Sequence, residues 1–333
     1  MAHSRLLLSS GLQMHVVQLP AVGEARGTVL CLHGFPDTWF GWRHQMPAFS
    51  QRGWHVVVPD LRGYGETEVP KESPAQYQMK ELCEDLLGLL EALLLRRVVV
   101  LGHDWGGSLA WTFALQFPQR VTAVGAVCTP FFPNNPAKNP WHSMREKPGR
   151  FDYQMWFQNA EAEAELSEDP EYTVKCIIRG TGEKEASTFN EAFASPTERG
   201  GLLKGLPPKE LCPRSEILSE EELRYYAAQF RRSGFFGGLS WYRNVERNWQ
   251  WMRSTAGQKI QQAAFILTAG RDPTLRASMV DSLKMKDWVP RLRHVHIEDA
   301  GHWVLQEAPK EATTLICEWL DHLPSESATM ARL

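Results

Sequence analysis

Long apolar segments, closely spaced cysteines and an excess of either charge are all missing from this sequence. No uninterrupted apolar run reaches the roughly 18 residues that a membrane helix requires, because the richest one, Leu86 to Leu95, is broken by Gly88 and Glu91. The net charge of −3 disfavours nucleic acid or an anionic membrane as the main partner. With 43% hydrophobic and 23% charged residues, the composition predicts a soluble globular protein without a membrane span.

The six cysteines are scattered and include no C-x-x-C pair. Several of them lie inside apolar segments, where a buried thiol is the usual state, so the pattern favours a reducing compartment. The first ten residues hold too short an apolar run for a signal peptide, and we therefore expect a cytoplasmic protein. The terminal Ala331-Arg332-Leu333 resembles the Ser-Lys-Leu peroxisomal signal, and a tail without targeting meaning is the equal alternative.

Segments with strand and helix patterns alternate along much of the chain, which is typical of a parallel sheet covered by helices. The expected strands are, in chain order, 12–19, 28–32, 55–60, 98–101, 121–128, 263–269 and 292–297. The expected helices are 40–52, 74–95, one that follows Trp105, and 303 to about 322.

The alternation stops between residues 131 and 256, where prolines and aromatic side chains are dense and no buried strand pattern occurs. The sequence therefore predicts an α/β core formed by residues 1–130 and 257–333, with residues 131–256 inserted as a mostly helical cap. The acidic stretch from Glu161 to Asp169 is interpreted as the solvated face of a cap helix.

The stretch from Arg97 to Trp111 carries the most informative pattern. Four apolar residues lead into Gly-His-Asp-Trp-Gly-Gly at 102–107, which is the nucleophile-elbow pattern Gly-x-Ser-x-Gly with Asp104 in the place of the serine. Gly102 and Gly106 would allow the strand and helix backbones to pass close together. Helix-end amides would hold the carboxylate ionised. An ordinary strand–glycine–helix junction with Asp104 as the helix cap is the alternative.

Two later residues extend this pattern. Asp272 follows the strand at 263–269, and His302 follows the strand at 292–297. The sequence Asp104, Asp272, His302 has the nucleophile–acid–histidine order of the α/β-hydrolase fold. Because the carboxyl ends of parallel strands meet at one edge of a sheet, we expect the three side chains to lie together.

The His-Gly-Phe-Pro segment at 33–36 directly follows a core strand and would bring the Phe35 backbone N–H near Asp104. The N–H groups of Phe35 and Trp105 are then candidates for an oxyanion hole. The side chain of His33 is interpreted as structural. His294 and His296 share one strand face but no third ligand follows them, so we expect no metal site, and no nucleotide or flavin site is visible either.

A carboxylate nucleophile favours a particular chemistry. It is ionised near pH 7 and can displace a leaving group at an sp³ carbon without a base, which gives an alkyl ester. A histidine can then activate water to attack that ester. An epoxide needs proton donors opposite the nucleophile because an alkoxide is a poor leaving group, and tyrosine is a suitable acid. A halide needs no proton and would favour indole N–H donors.

The chain resembles the epoxide hydrolases, and is most similar to the C-terminal hydrolase domain of animal soluble epoxide hydrolases. The matching segments are His33 to Pro36, Arg62 to Gly65, Gly102 to Gly107, Phe151 to Gln154, Trp241 to Asn244 and Gly301 to Trp303. The resemblance implies that Tyr153 and Tyr242 are cap tyrosines that protonate the opened epoxide. Without it, each tyrosine is better explained as a packed aromatic residue. The phosphatase domain of the two-domain animal enzymes has no counterpart here, so no phosphatase activity is expected.

The expected substrate is a small apolar epoxide, which reacts with water to give a vicinal diol. Trp105, Trp303, Phe35 and Pro36 are candidate substrate-binding residues, and an apolar channel suits lipid or aryl epoxides, in lipid metabolism or detoxification. A haloalkane or haloacid dehalogenase with the same Asp–His–acid set is the main alternative. A receptor that binds apolar ligands without turnover is the alternative from another class.

Overall fold

A computed structural model describes residues 1–182 and 193–324 of the chain. Its eight strands form one sheet in the order β1-β2-β4-β3-β5-β6-β7-β8. The strands are β1 (Ala2–Leu7), β2 (Gln13–Leu19), β3 (Gly27–Leu32), β4 (Trp54–Pro59), β5 (Val98–His103), β6 (Val121–Val127), β7 (Ala263–Ala269) and β8 (Leu292–Ile297). β2 pairs antiparallel with β1 and β4, and every other neighbouring pair is parallel. The expectation of a mostly parallel α/β sheet is confirmed.

The helices outside the segment between β6 and β7 pack on both faces of this sheet, over two buried clusters of apolar side chains. The described α-helices are α1 (Met46–Gln51), α2 (Met79–Ala92), α3 (Trp105–Gln116), α4 (Pro140–Glu146), α5 (Asp152–Trp156), α6 (Ala160–Glu168), α7 (Pro170–Ile177), α8 (Pro196–Arg199), α9 (Glu220–Ser233), α10 (Phe236–Tyr242), α11 (Val245–Met252), α12 (Met279–Ser282), α13 (Met285–Trp288), α14 (Val304–Glu307) and α15 (Pro309–Asp321). Short 3₁₀ helices occur at Trp39–Trp42, Pro74–Tyr77, Pro118–Arg120, Gly149–Phe151 and Arg253–Thr255. None of the helices within the described ranges is long and apolar enough to cross a membrane.

Each predicted strand is present, but several helices differ from expectation. The single helix expected at 40–52 is a 3₁₀ turn followed by α1, and the helix expected at 74–95 begins with a 3₁₀ turn capped by Ser73. The terminal helix is divided at Ala308 into α14 and α15, because Pro309 lacks the N–H that an unbroken helix would need. Strand β1 is missing from the sequence-based expectations. It lies at the sheet edge with few buried side chains, so it carries no strong apolar pattern.

The described residues between β6 and β7 form helices α4 to α11 with their connections. Polar contacts join α9 to the residues that follow β3. The Tyr226 hydroxyl of α9 donates to Asp37 at 2.8 Å, and Arg43 pairs with Glu222 at 2.7 Å. Since Asp37 and Arg43 both follow β3, α9 is fixed close to the carboxyl ends of the parallel strands.

The acidic stretch on α6 is only partly a solvated face. The carboxylate of Glu165 accepts hydrogen bonds from the backbone N–H groups of Leu202 and Leu203, each at 2.8 Å, and from the Trp156 indole at 2.9 Å. The interpretation of the whole stretch as solvated is therefore wrong at Glu165, whose side chain connects the end of α5 to the loop at Leu202 and Leu203.

Candidate active site

Asp104 lies at a sharp turn between β5 and α3 and has a positive φ of 52°. A Cβ atom on Gly102 would lie 2.0 Å from the carbonyl oxygen of Gly106, and one on Gly106 would lie 2.3 Å from that of Leu32. Both positions therefore require glycine, as the elbow pattern predicts. The Thr129 hydroxyl, just after β6, donates to the Asp104 carbonyl at 2.7 Å and supports the strained residue.

The structure brings Asp104, Asp272 and His302 together. The His302 imidazole lies between the two carboxylates, with Nδ1 2.8 Å from Oδ2 of Asp272 and Nε2 3.5 Å from Oδ2 of Asp104. The second oxygen of Asp272 accepts the backbone N–H groups of Thr274 at 2.9 Å and Leu275 at 2.8 Å. Each of the three residues follows the carboxyl end of a parallel strand, which is why residues far apart in sequence meet here.

The two carboxylates have opposite pKa shifts. Burial alone would raise the pKa of Asp272, but the charge of His302, its hydrogen bond and the Thr274 and Leu275 amides together lower it. Burial raises the pKa of Asp104 and outweighs the charge of His302 and the amides of Phe35 and Trp105, which lower it. The amides thus act in the expected direction, in favour of the ionised carboxylate, but burial determines the net shift.

The pKa of His302 is raised from 6.5 to about 9. Burial by itself would lower this pKa. The charge and hydrogen bond of Asp272 and the charge of Asp104 raise it by more, so the net shift is upward. Near pH 7 the imidazole is therefore protonated and flanked by two carboxylates. Loss of either negative charge would lower the pKa of His302.

Both predicted oxyanion donors face Asp104. The Phe35 N–H donates to Oδ1 of Asp104 at 2.9 Å, and the Trp105 N–H also hydrogen-bonds this carboxylate. A Cβ atom on Gly34 would lie 2.4 Å from the Cβ atom of Asp104, so glycine lets this loop approach the elbow. Two backbone donors at one carboxylate can stabilise charge that develops on its oxygen.

Tyr153 of α5 and Tyr242 of α10 are both buried, and their rings meet edge to face with centroids 5.9 Å apart. The Tyr153 hydroxyl accepts a hydrogen bond from Gln154 at 3.1 Å. Burial, reinforced by the charge of Asp104, raises the pKa of both phenols. Both hydroxyls are therefore protonated at neutral pH.

Asp104, His302 and the two tyrosines line one cavity of about 700 Å³, a volume that includes its open mouth. Phe35, Pro36 and Trp303 also line it, as expected for substrate-binding residues. Trp105 is not among the lining residues, and its ring packs edge-on against Tyr242, with ring centroids 5.0 Å apart.

Several lining residues were not found by sequence reasoning. They are Phe157, Cys176, Ile177, Arg179, Thr181, Phe193, Pro273 and Thr274. Four of them belong to α7 and the residues directly after it. The pattern of α7 identifies an amphipathic helix, but nothing in it indicates which buried side chains face a cavity.

The remaining histidines near the site have structural partners. His33 bonds the Gly34 carbonyl and accepts the Leu61 N–H, both at 2.9 Å, which fits its expected structural role. His103, Cys128 and His302 have donor atoms within 4.8 Å of one another. His103 and Cys128 both hydrogen-bond the His302 carbonyl, however, so this cluster fixes a loop.

His294 and His296 both hydrogen-bond the Thr268 hydroxyl at 2.9 Å. Their shared contact is therefore a side chain of the neighbouring strand β7. A structural role in the pairing of β7 and β8 accounts for the two histidines.

Comparison with known proteins gives consistent results. The family model of the alpha/beta hydrolase fold matches residues 27–166. Bifunctional epoxide hydrolase 2 of Sus scrofa is 40% identical over 96% of this chain and 55% of its own length. Epoxide hydrolase A of Mycobacterium tuberculosis is 36% identical over 96% of this chain and 97% of its own.

The crystal structure of epoxide hydrolase A from Mycobacterium thermoresistibile superposes with a TM-score of 0.84, at 32% identity, over 98% of this chain and 99% of that one. The chain spans about half the length of the bifunctional relatives. The predicted α/β-hydrolase fold and the predicted family are confirmed. This chain belongs to the epoxide hydrolases of the α/β-hydrolase fold.

Proposed function

We propose that this protein is an epoxide hydrolase that converts lipid-like or aryl epoxides to vicinal diols through an ester on Asp104. One observation carries the proposal: the Asp104 carboxylate, supported by the His302–Asp272 pair, lines the same cavity as two buried tyrosines. A carboxylate can attack a carbon of the epoxide, and phenols can donate to the oxygen that leaves that carbon.

In the first step, Asp104 forms a bond to an epoxide carbon while the carbon–oxygen bond breaks. Tyr153 or Tyr242 transfers its proton to the resulting alkoxide. The charge of Asp104 is among the causes that raise the pKa of both phenols. Because ester formation removes that charge, the tyrosines become stronger acids while the alkoxide forms.

In the second step, His302 takes a proton from water as the oxygen attacks the ester carbonyl. The imidazole must first be neutral. Ester formation removes one of the two negative charges that raise its pKa, so His302 can return its proton to the tyrosinate. The Phe35 and Trp105 amides would stabilise the tetrahedral intermediate. As the intermediate collapses, the ester carbon–oxygen bond breaks and the leaving alkoxide takes the remaining proton of the added hydroxyl. This releases the diol and regenerates the Asp104 carboxylate, with His302 protonated again.

The proposed substrate class follows from the cavity wall. Phe35, Phe157, Ile177, Phe193 and Trp303 make much of this wall apolar, which suits a lipid-like or aryl group beside the epoxide. Residues 131–256 would act as a cap on a core formed by residues 1–130 and 257–333. No metal or organic cofactor is required by this scheme.

We also propose a cellular role for this activity. Turnover of apolar epoxides would belong to lipid metabolism or detoxification, in the cytoplasm. A peroxisomal location would depend on Ala331-Arg332-Leu333, which lies outside the described residues.

Turnover of two substrate types tests the proposal against the dehalogenase alternative. The purified protein is incubated with an aryl epoxide and, separately, with a 1-haloalkane, and diol and halide release are measured. The proposal predicts diol without halide. Halide release without diol would identify a dehalogenase, and tight binding of the epoxide without any product would identify a receptor.

A further inference from the structure

One carboxylate outside the catalytic set connects the His302 loop to the α7 side of the cavity. Glu307 ends α14, and its Oε2 atom accepts the backbone N–H of Gly301 at 2.9 Å. Its Oε1 atom accepts the backbone N–H of Thr181 at 2.8 Å and the Thr181 hydroxyl at 2.6 Å. A single side chain thus receives three hydrogen bonds from two segments that are 120 positions apart in the sequence (301 − 181).

The two segments are in direct contact at this point. A Cβ atom on Gly301 would lie 2.1 Å from the Thr181 Cγ2 atom, so glycine is needed for the approach. On the other side of His302, the Trp303 indole donates to the Ile177 carbonyl at 2.8 Å. The residues before and after the catalytic histidine are therefore both attached to the 177–181 segment.

The sheet side holds the same loop by a different set of contacts. The His302 carbonyl accepts from His103 Nε2 at 2.8 Å and from Cys128 Sγ at 3.5 Å. The imidazole is also held by Asp272. Among the described residues, the contacts with Thr181 and Ile177 are thus the hydrogen bonds that link the segment after α7 to the His302 loop, and they can influence the position of His302.

We propose that Glu307 is a positioning residue that orients His302 for ester hydrolysis by tying its loop to Thr181. The three groups that face Glu307 are all donors, so a carboxylate, which only accepts, satisfies all of them. Glutamine has the same size but replaces one acceptor oxygen with an NH₂ group. The NH₂ group would face either the Gly301 N–H or the Thr181 N–H, both of which are donors, so the hydrogen bond to one of the two segments would be lost.

This inference rests on the proposed function, in which His302 acts in the second step only. Ester formation uses Asp104 and the tyrosines, none of which Glu307 contacts in a described hydrogen bond. A Glu307→Gln substitution should therefore slow ester hydrolysis by roughly 10- to 100-fold, the scale expected when a catalytic group moves by a fraction of an ångström to an ångström. It should leave ester formation within about twofold, and the ester should accumulate.

The experiment is a rapid-quench single turnover of an aryl epoxide with excess enzyme, read as the mass of the Asp104 peptide and as diol. The variants are Glu307→Gln, Thr181→Val and, as a matched control, Glu311→Gln, which changes an exposed glutamate on α15. Thr181→Val removes the hydroxyl and keeps the N–H, so a smaller slowing of hydrolysis is expected. His302→Gln supplies the reference for full ester accumulation. Thermal unfolding of each variant checks that it is folded.

Ester accumulation in Glu307→Gln and, more weakly, in Thr181→Val, but not in Glu311→Gln, would support the inference. Equal slowing of both steps, or hydrolysis at the wild-type rate, would overturn it. Should Glu307→Gln fail to fold, Thr181→Val is the test: ester accumulation in that variant would support the inference, and hydrolysis at the wild-type rate would overturn it. A wild-type protein that forms neither ester nor diol would refute the proposed function itself, which is a distinct result.

Discussion

The two walls of the cavity are held in place differently. On the sheet wall, Asp104 and His302 follow strand ends, as does Asp272, the hydrogen-bond partner of His302. Short hydrogen bonds to backbone amides or to one another fix each of the three. On the helical wall, Tyr153 and Tyr242 come from short helices and are held mainly by packing against other rings. The sheet wall therefore carries the groups whose charge and position must be fixed before the reaction. The helical wall carries proton donors that share one task and can replace each other in part.

The largest expected effect is on the sheet wall. Asp104→Ala removes the proposed nucleophile, the only carboxylate among the described residues that line the cavity, and diol formation should fall by about 10⁴-fold or more. Steady-state diol production measures this loss. Asp287→Ala, which changes an exposed aspartate, is the control and should retain wild-type activity. Full turnover by Asp104→Ala would contradict the proposed role.

A smaller effect is expected on the helical wall. Tyr153→Phe and Tyr242→Phe should each lower the rate of ester formation by roughly 10- to 100-fold, because one phenol remains to donate. The double variant should lose clearly more than either single one. Tyr172→Phe is a matched control, since that hydroxyl bonds the Pro207 carbonyl and does not line the cavity. A double variant with an unchanged rate of ester formation would remove the tyrosines from the mechanism.

The walls should also differ in how stability depends on pH. The folded-state pKa of His302, about 9, lies above the unfolded value near 6.5, so its ion pairs stabilise the fold fully below about pH 6.5. This contribution, on the order of 1–3 kcal/mol, is lost as pH rises through 9. Thermal unfolding from pH 6 to 10 should show the loss in the wild type and in Tyr153→Phe, but not in His302→Gln. The same slope in all three proteins would mean that His302 is not the group responsible.

Small changes in side-chain size should affect the walls unequally. Gly102→Ala places a methyl group 2.0 Å from a backbone oxygen that cannot move cheaply, and should destabilise the protein by about 1–3 kcal/mol or more. Ile177→Val on the helical wall should cost only about 0.5–1 kcal/mol. Chemical denaturation measures both free energies of unfolding. Equal costs would mean that the elbow tolerates changes as well as the opposite wall does.

The same difference decides how much of the site can be predicted from the sequence. A strand-end position follows from a strand pattern and a short loop, so Asp104, Asp272 and His302 can be placed together without a structure. The contacts of the helical wall depend on how short helices pack, and neither Thr181 nor Glu307 carries a signal in the sequence. Tyr153 and Tyr242 become candidates only through family resemblance.

The errors in the fold have similar physical causes. Apolar periodicity continues through the turns near Gln45 and Ala308, so it does not show where a helix divides, although Pro47 and Pro309 stand just after these points. The edge strand β1 buries few side chains and gives no clear pattern. In the site, Trp105 stands beside the nucleophile in the sequence, which suggests a cavity residue, but its ring packs against Tyr242 and is not among the groups that line the cavity.

The central claim is that Asp104 forms an ester with the epoxide, and a single turnover in ¹⁸O-labelled water with excess enzyme tests it most directly. Water attacks the ester carbonyl in the proposed scheme, so the label should appear in the Asp104 peptide while the diol from the first turnover stays unlabelled. A labelled diol with an unlabelled peptide would show direct attack of water on the epoxide and would contradict the account.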